Sequence, residues 1–171
     1  IKLMLNTDFK EVMKLDSERG KVYFLGQEFD GNVIFTGMID DLFEYKFGEL
    51  PYRSLGLEFK AIERDYFQET AVVNYPNDYD FTRITEFKHM HPVESKKTVI
   101  LKEYPKAYQV GSDIPYYPVF KEENIELHNK YKGLAERFKN LILVGRLAEY
   151  KYYDMDDVVK RVLEVFDERI K

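Results

Sequence analysis

Arg146, Tyr152, Tyr153 and Asp154 lie close together in the segment GRLAEYKYYD, residues 145–154. A guanidinium forks onto oxyanions and stacks on flat rings, and phenol rings do the same from their faces. The residues that follow place this group at a helix end. Met155, Val158, Val159, Val162, Leu163 and Phe166 fall at i, i+3, i+4, i+7, i+8 and i+11, the spacing of one helix face. Asp154 stands at the N-cap, with Asp157 three residues later beside the first-turn amides. Helix N-termini present unpaired N–H groups and a partial positive charge, which suits an anion. Residues 141–144, all apolar, read as a short buried strand that Gly145 stops. A strand, a loop and a helix start carrying a cation and two rings suit a flavin or a nucleotide. A plainer reading of the same residues makes Asp154 a cap, Arg146 a surface partner of Glu149, and the two tyrosines packing residues.

Arg83 is the second candidate. It sits in the alternating run FTRITE, where Phe81, Arg83 and Thr85 face one way and Thr82, Ile84 and Glu86 the other. Its planar guanidinium suits a phosphate; as a structural residue it would pair with Glu86 or Glu58. His89 and His91 alternate on what reads as a strand, but two ligands do not make a zinc site, and both read as polar surface residues; His128 suggests no role. With no cysteine there is no thiolate metal site, cysteine nucleophile or disulfide. No three glycines form G-x-G-x-x-G, the dinucleotide-binding loop.

The elements that must hold these residues follow from pattern. At 171 residues and 44% hydrophobic, the chain can bury a sizeable core. A formal charge of −5 argues against a general nucleic-acid binder. No run approaches the ~20 apolar residues of a membrane span, no basic, apolar signal segment stands at the start, and the absence of cysteine fits the cytoplasmic protein that is expected. The chain starts at Ile1 without an initiator Met, which suggests a fragment of something longer. Residues 1–5 read as a strand and 8–15 as a short helix capped by Asp8. Residues 21–29 and 32–35 read as strands around an Asp30-Gly31 turn, and 39–47 as a helix closed by Gly48. Residues 52–101 carry a period near two and read as an antiparallel sheet. Residues 102–119 read as loop, and a helix should run from Glu122 or Glu123 to about Phe138.

Four stretches, in this order, resemble prokaryotic UDP-galactopyranose mutases: VIFTGMIDDLFEYKFGELPYRSL (33–55), TRITEFKH (82–89), KEYP with PYYPV (102–105 and 115–119), and GRLAEYKYYDMD (145–156). The resemblance runs from about residue 33 to 159. It implies a mixed α+β and α/β fold: an antiparallel β-sheet domain plus a returning C-terminal part of an FAD-binding Rossmann-like domain. Residues 1–50 would belong partly to the FAD-binding domain, 51–120 to the substrate-side sheet, and 121–171 would return to the FAD-binding domain. The activity implied is conversion of UDP-galactopyranose to UDP-galactofuranose, with reduced FAD attacking the sugar through its N5. By the same resemblance Arg83, Tyr117 and Tyr152 contact the substrate diphosphate, and Asp154 lies near sugar and flavin. Arg146 would stand at the flavin ring, with Arg53, Tyr153 and Met155 also on the flavin side; Tyr116 and Tyr153 read equally as packing residues. The partner is UDP-galactose, with room for a homodimer in the full-length enzyme. The glycine loop, the helical domain with the uracil-binding aromatics and the family's second diphosphate arginine have no counterpart here, so the 171 residues alone are expected to bind FAD poorly and to be inactive. Two other classes stay open: a non-catalytic nucleotide-sugar or carbohydrate-binding module, and another flavin-dependent oxidoreductase.

Overall fold

Asp8 caps the first helix as its type and position suggest. Its carboxylate accepts the Lys10 N–H at 2.9 Å, and Glu11 returns the bond to the Asp8 N–H at 3.0 Å. The computed structural model describes Ile1–Lys171, and the chain divides into one unit of Ile1–Pro51 with Tyr117–Lys171 and a second of Tyr52–Tyr116.

In the first unit α1 (Phe9–Val12) lasts a single turn, because Met13 is extended and opens β1 (Met13–Asp16), which pairs antiparallel with β2 (Lys21–Phe24). Leu25 and Gly26, with φ of 49° and 80°, make the two-residue turn into β3 (Gln27–Glu28). The hairpin therefore closes there and not at Asp30-Gly31. Residues 1–5 form no strand: Ile1, Leu3 and Leu5 are exposed and no ladder reaches them. After β4 (Val33–Phe35), α2 (Ile39–Leu42) ends early, because Glu44 and Tyr45 both adopt left-handed φ. The apolar spacing expected of a longer helix is met by turns instead, with Ile39, Leu42, Phe43 and Leu50 buried. Asp40, also buried, accepts the Leu50 N–H at 2.8 Å.

The second unit is the antiparallel sheet that the period of two foretold. Its strands are β5 (Tyr52–Ile62), β6 (Val72–Asn74), β7 (Arg83–Glu86) and β8 (Thr98–Ala107), and within the unit their order is β6-β7-β8-β5. Cross-strand partners share a face. Ile84 and Ile100 lie on one face and form a core with Phe81, packed by Ile62, Tyr75 and Tyr104. Arg83, opposite Glu103, which is itself opposite Leu57, lies on the other. β8 runs past Leu101 into residues expected to be loop, through Pro105 to Ala107. β7 begins at Arg83, opposite Glu103, so β8 has lost that neighbour by Pro105, where a missing N–H is tolerated. Glu86 is fully buried and accepts the amides of Phe67 and Gln68 at 2.9 and 3.0 Å. Burial pushes its carboxyl up, but hydrogen bonds and His89 outweigh this and hold it below the usual carboxylate range.

The chain then returns to the first unit through β9 (Tyr117–Pro118), α3 (Glu122–Ala135), β10 (Leu141–Leu143) and α4 (Met155–Arg169). β10 pairs parallel with β4, Leu141 opposite Val33 and Leu143 opposite Phe35. Tyr131 of α3 is completely buried against the rings of Phe43 and Phe47, and its hydroxyl donates to the Gly48 carbonyl at 2.6 Å. α4 starts where the sequence places it, but the face of the spacing pattern is not the face it buries. Val165 packs on Ile142 and Val144, while Met155, Val159, Val162, Leu163 and Phe166 are exposed, Met155 to 84%. No helix is long and apolar enough to cross a membrane. The architecture is mixed α+β with antiparallel sheets and one parallel strand pair.

Candidate functional site

The site in the first unit is built on the loop between β10 and α4. Gly145 leaves the strand at φ 98°, a conformation that disfavours any side chain. Tyr150 pins the loop: its hydroxyl donates to the Pro51 carbonyl at 2.6 Å, and burial pushes its pKa up to about 12. His128 stacks on the Tyr150 ring at 5.5 Å, and burial lowers its pKa, so it stays neutral at pH 7.

Held this way, Arg146 lies over two rings. Its guanidinium carbon is 5.1 Å from the Tyr117 ring centre and 5.7 Å from that of Tyr152, within cation–π range of both. The two rings stack on each other at 5.6 Å and 25°. Nε of Arg146 donates to the Tyr153 carbonyl at 2.7 Å, which fixes the plane of the guanidinium. Arg146 is thus not a partner of Glu149, whose carboxylate takes Arg161 at 2.8 Å and the Gly145 amide at 2.9 Å. The Tyr152 hydroxyl donates to Asp154 at 2.9 Å, and that bond raises the phenol's pKa. Tyr153 turns inward and is buried, its phenol pushed up by burial and by Glu149, so the site uses its carbonyl. Met155 is the exposed first residue of α4.

The helix end itself is crowded with acid. The Asp157 carboxylate accepts the Asp154 N–H at 3.3 Å, and Asp156 lies in the same first turn. These carboxylates already complement the helix dipole, so the positive charge set over the aromatic pair is that of Arg146; Lys151, the loop's other cation, lies over the Tyr153 ring. The arrangement is a fixed cation above an aromatic pair with a carboxylate at its rim. It suits a flat, electron-rich ring that gains negative charge.

The second unit holds Arg83 and Arg53. Arg53 is exposed near the start of β5. Arg83 is gripped by neither Glu86 nor Glu58. Glu86 faces the opposite side of the strand, and Glu58 takes the Tyr104 hydroxyl at 2.8 Å. Its partner is Glu103, with Nε to Oε1 at 3.0 Å and Nη2 to Oε2 at 2.7 Å. Glu103 was within the KEYP stretch but carried no signal of its own, because pairing across a ladder depends on register. His89 also differs from expectation, while His91 is exposed as expected. His89 ends a 3₁₀ turn (Phe87–His89), not a strand, and its Nε2 lies 3.0 Å from the Gln68 carbonyl and 3.3 Å from Glu86.

Comparison with known proteins gives a consistent result. A family profile described as UDP-galactopyranose mutase matches residues 1–152. The chain is 42% identical over 139 residues to "Probable UDP-galactopyranose mutase" of Klebsiella pneumoniae, covering 80% of this chain and 36% of that relative. It is 40% identical over 136 residues to dTDP-fucopyranose mutase of Escherichia coli, covering 78% and 36%. A UDP-galactopyranose mutase of Mycoplasma genitalium is 37% identical over 144 residues, covering 81% and 36%. The chain therefore spans little more than a third of the length of the curated relatives it matches.

Proposed function

The chain belongs to the UDP-galactopyranose mutase family, and from that premise we propose that it forms part of a flavoenzyme interconverting UDP-galactopyranose and UDP-galactofuranose. The observation that carries the reading is the Arg146 guanidinium set over Tyr117 and Tyr152, residues from separate stretches of the chain. This donor set fits the redox-active ring of FAD rather than its pyrophosphate, for which the sequence offers no glycine loop. Bound and reduced, FAD would supply the nucleophile for the anomeric carbon of the sugar.

The residues of this chain position and stabilise. Arg146, permanently charged and fixed in plane, favours the electron-rich reduced ring over the neutral one. Arg53, the Tyr153 backbone and Met155 belong to the flavin side. Arg83 binds the diphosphate and offsets the charge that develops on UDP as it leaves, with Tyr117 and Tyr152 as hydroxyl partners. Asp154 orients the Tyr152 hydroxyl through their 2.9 Å bond, next to the sugar. No side chain serves as the covalent nucleophile. The parallel β4–β10 pair with α4 over it is, in this reading, a returning part of the Rossmann-like FAD domain, and Tyr52–Tyr116 is the substrate-side sheet.

The test is made on the full-length protein containing this chain. Purified, it should be yellow and, once reduced, should consume UDP-galactofuranose; R146A should lose most of that activity. Because one relative is a dTDP-fucopyranose mutase, dTDP-fucopyranose should be assayed beside UDP-galactopyranose, and turnover of it alone would reassign the substrate. A colourless protein indifferent to flavin and to both nucleotide sugars would overturn the reading. The 171-residue chain by itself should stay colourless and inactive.

A further inference from the structure

We propose that Glu103 is the positioning residue for Arg83, holding its guanidinium in the orientation that receives a nucleoside diphosphate. The inference rests on the reading of Arg83 as the diphosphate-binding arginine. An arginine on an open sheet face samples many rotamers, and ordering it on ligand binding costs affinity. A bidentate carboxylate removes that cost beforehand by fixing both the position and the plane of the fork.

Three features of the pair support this. Arg83 and Glu103 stand directly opposite each other across β7 and β8, so the ladder sets their separation. Both carboxylate oxygens are used, one on Nε and one on Nη2. The exposures are also unequal: the Glu103 side chain is 10% exposed and that of Arg83 44%. The anchor is buried and the arginine is partly exposed to solvent. Glu103 is tied down further by its backbone, whose carbonyl accepts the Thr82 N–H at 2.9 Å. The fork engages Nε and Nη2, and a diphosphate arriving from solvent meets a cation whose plane is already set. Glu103 itself touches no substrate and acts through Arg83.

The experiment is a double-mutant cycle in the full-length flavoprotein, read as the dissociation constant of UDP by calorimetry. E103A should weaken UDP binding roughly tenfold, the scale of one hydrogen bond to a charged group, and R83A should weaken it further. In the R83A background E103A should change affinity less than about twofold, because its effect passes through the missing guanidinium. E103Q, which keeps the shape and one acceptor, should recover part of the loss. R83A leaves a largely buried carboxylate unpaired, and R83A/E103A, which removes both charges, supplies the folded reference. Unchanged or tighter binding in E103A, or an equal loss with and without Arg83, would overturn the proposal while leaving Arg83 as the diphosphate ligand. Unchanged binding in R83A would overturn the reading of Arg83 and this inference with it.

Discussion

The two units solve the problem of placing an arginine in different ways. Tyr52–Tyr116 is one continuous stretch, and its arginine is aimed by register: once β7 pairs with β8, Arg83 must face Glu103. The other unit is assembled from both ends of the chain around a parallel pair of three-residue strands. There Arg146 is aimed by a loop, through a carbonyl, two rings and the buried Tyr150. A ladder aims a side chain through register alone, whereas this loop is held by several separate contacts, among them Tyr117 and, through Tyr150, Pro51. The loop-built unit should therefore be the more sensitive to distant substitutions.

The largest expected effect tests that dependence. Y131A removes a fully buried ring and its hydroxyl bonds from the core of the first unit. It should cost about 3–5 kcal/mol, read by urea denaturation. Hydrogen exchange should show protection lost in β4, β10 and α3 before β5 and β8; equal loss in both units would erase the contrast. Next, R146A in the full-length protein should lower kcat roughly 10²–10³-fold, as expected when a preorganised charge is withdrawn. R146K, which keeps the charge but not the plane, should restore only part of it.

A smaller effect separates the sheet unit by pH. The Glu86 pKa is lowered in the fold, so its contribution is fully present above the ordinary carboxylate range and is lost as pH falls through the lowered value. E86Q should cost about 1.5–3 kcal/mol at pH 7, and the difference from wild type should shrink below about pH 4. A gap in urea midpoint as wide at pH 3 as at pH 7 would contradict the assignment. The smallest effect belongs to α4. Leu163 is 60% exposed, so L163E in the 171-residue chain should change stability by less than about 0.5 kcal/mol, measured by thermal melting.

Much of this is legible in the sequence alone. Asp8 and Asp154 announced their helices because a cap bonds to amides two or three residues away. The alternation from Tyr52 onward announced the sheet because side chains on a strand change face at every residue. The expected strand at 1–5 did not form, since apolar residues make a strand only where a ladder receives them. The 39–47 helix was cut short because its apolar spacing could be buried by turns as well. In the site, the grouping of Arg146, Tyr152 and Asp154 was visible as proximity in sequence, while the stacking of Tyr117 on Tyr152 and the capture of Glu149 by Arg161 were not.

By itself the sequence determined which residues carry charge and rings, where α4 begins, which side of β7 bears Arg83, and the family to which the chain is similar. These follow from neighbours a few bonds apart. The tertiary structure alone decided that Glu103 holds Arg83, that Arg146 spans two tyrosines, and that α4 buries Val165 rather than its apolar stripe. Each of those depends on segments distant in the chain meeting in register, and spacing along one segment does not encode the partner it will meet.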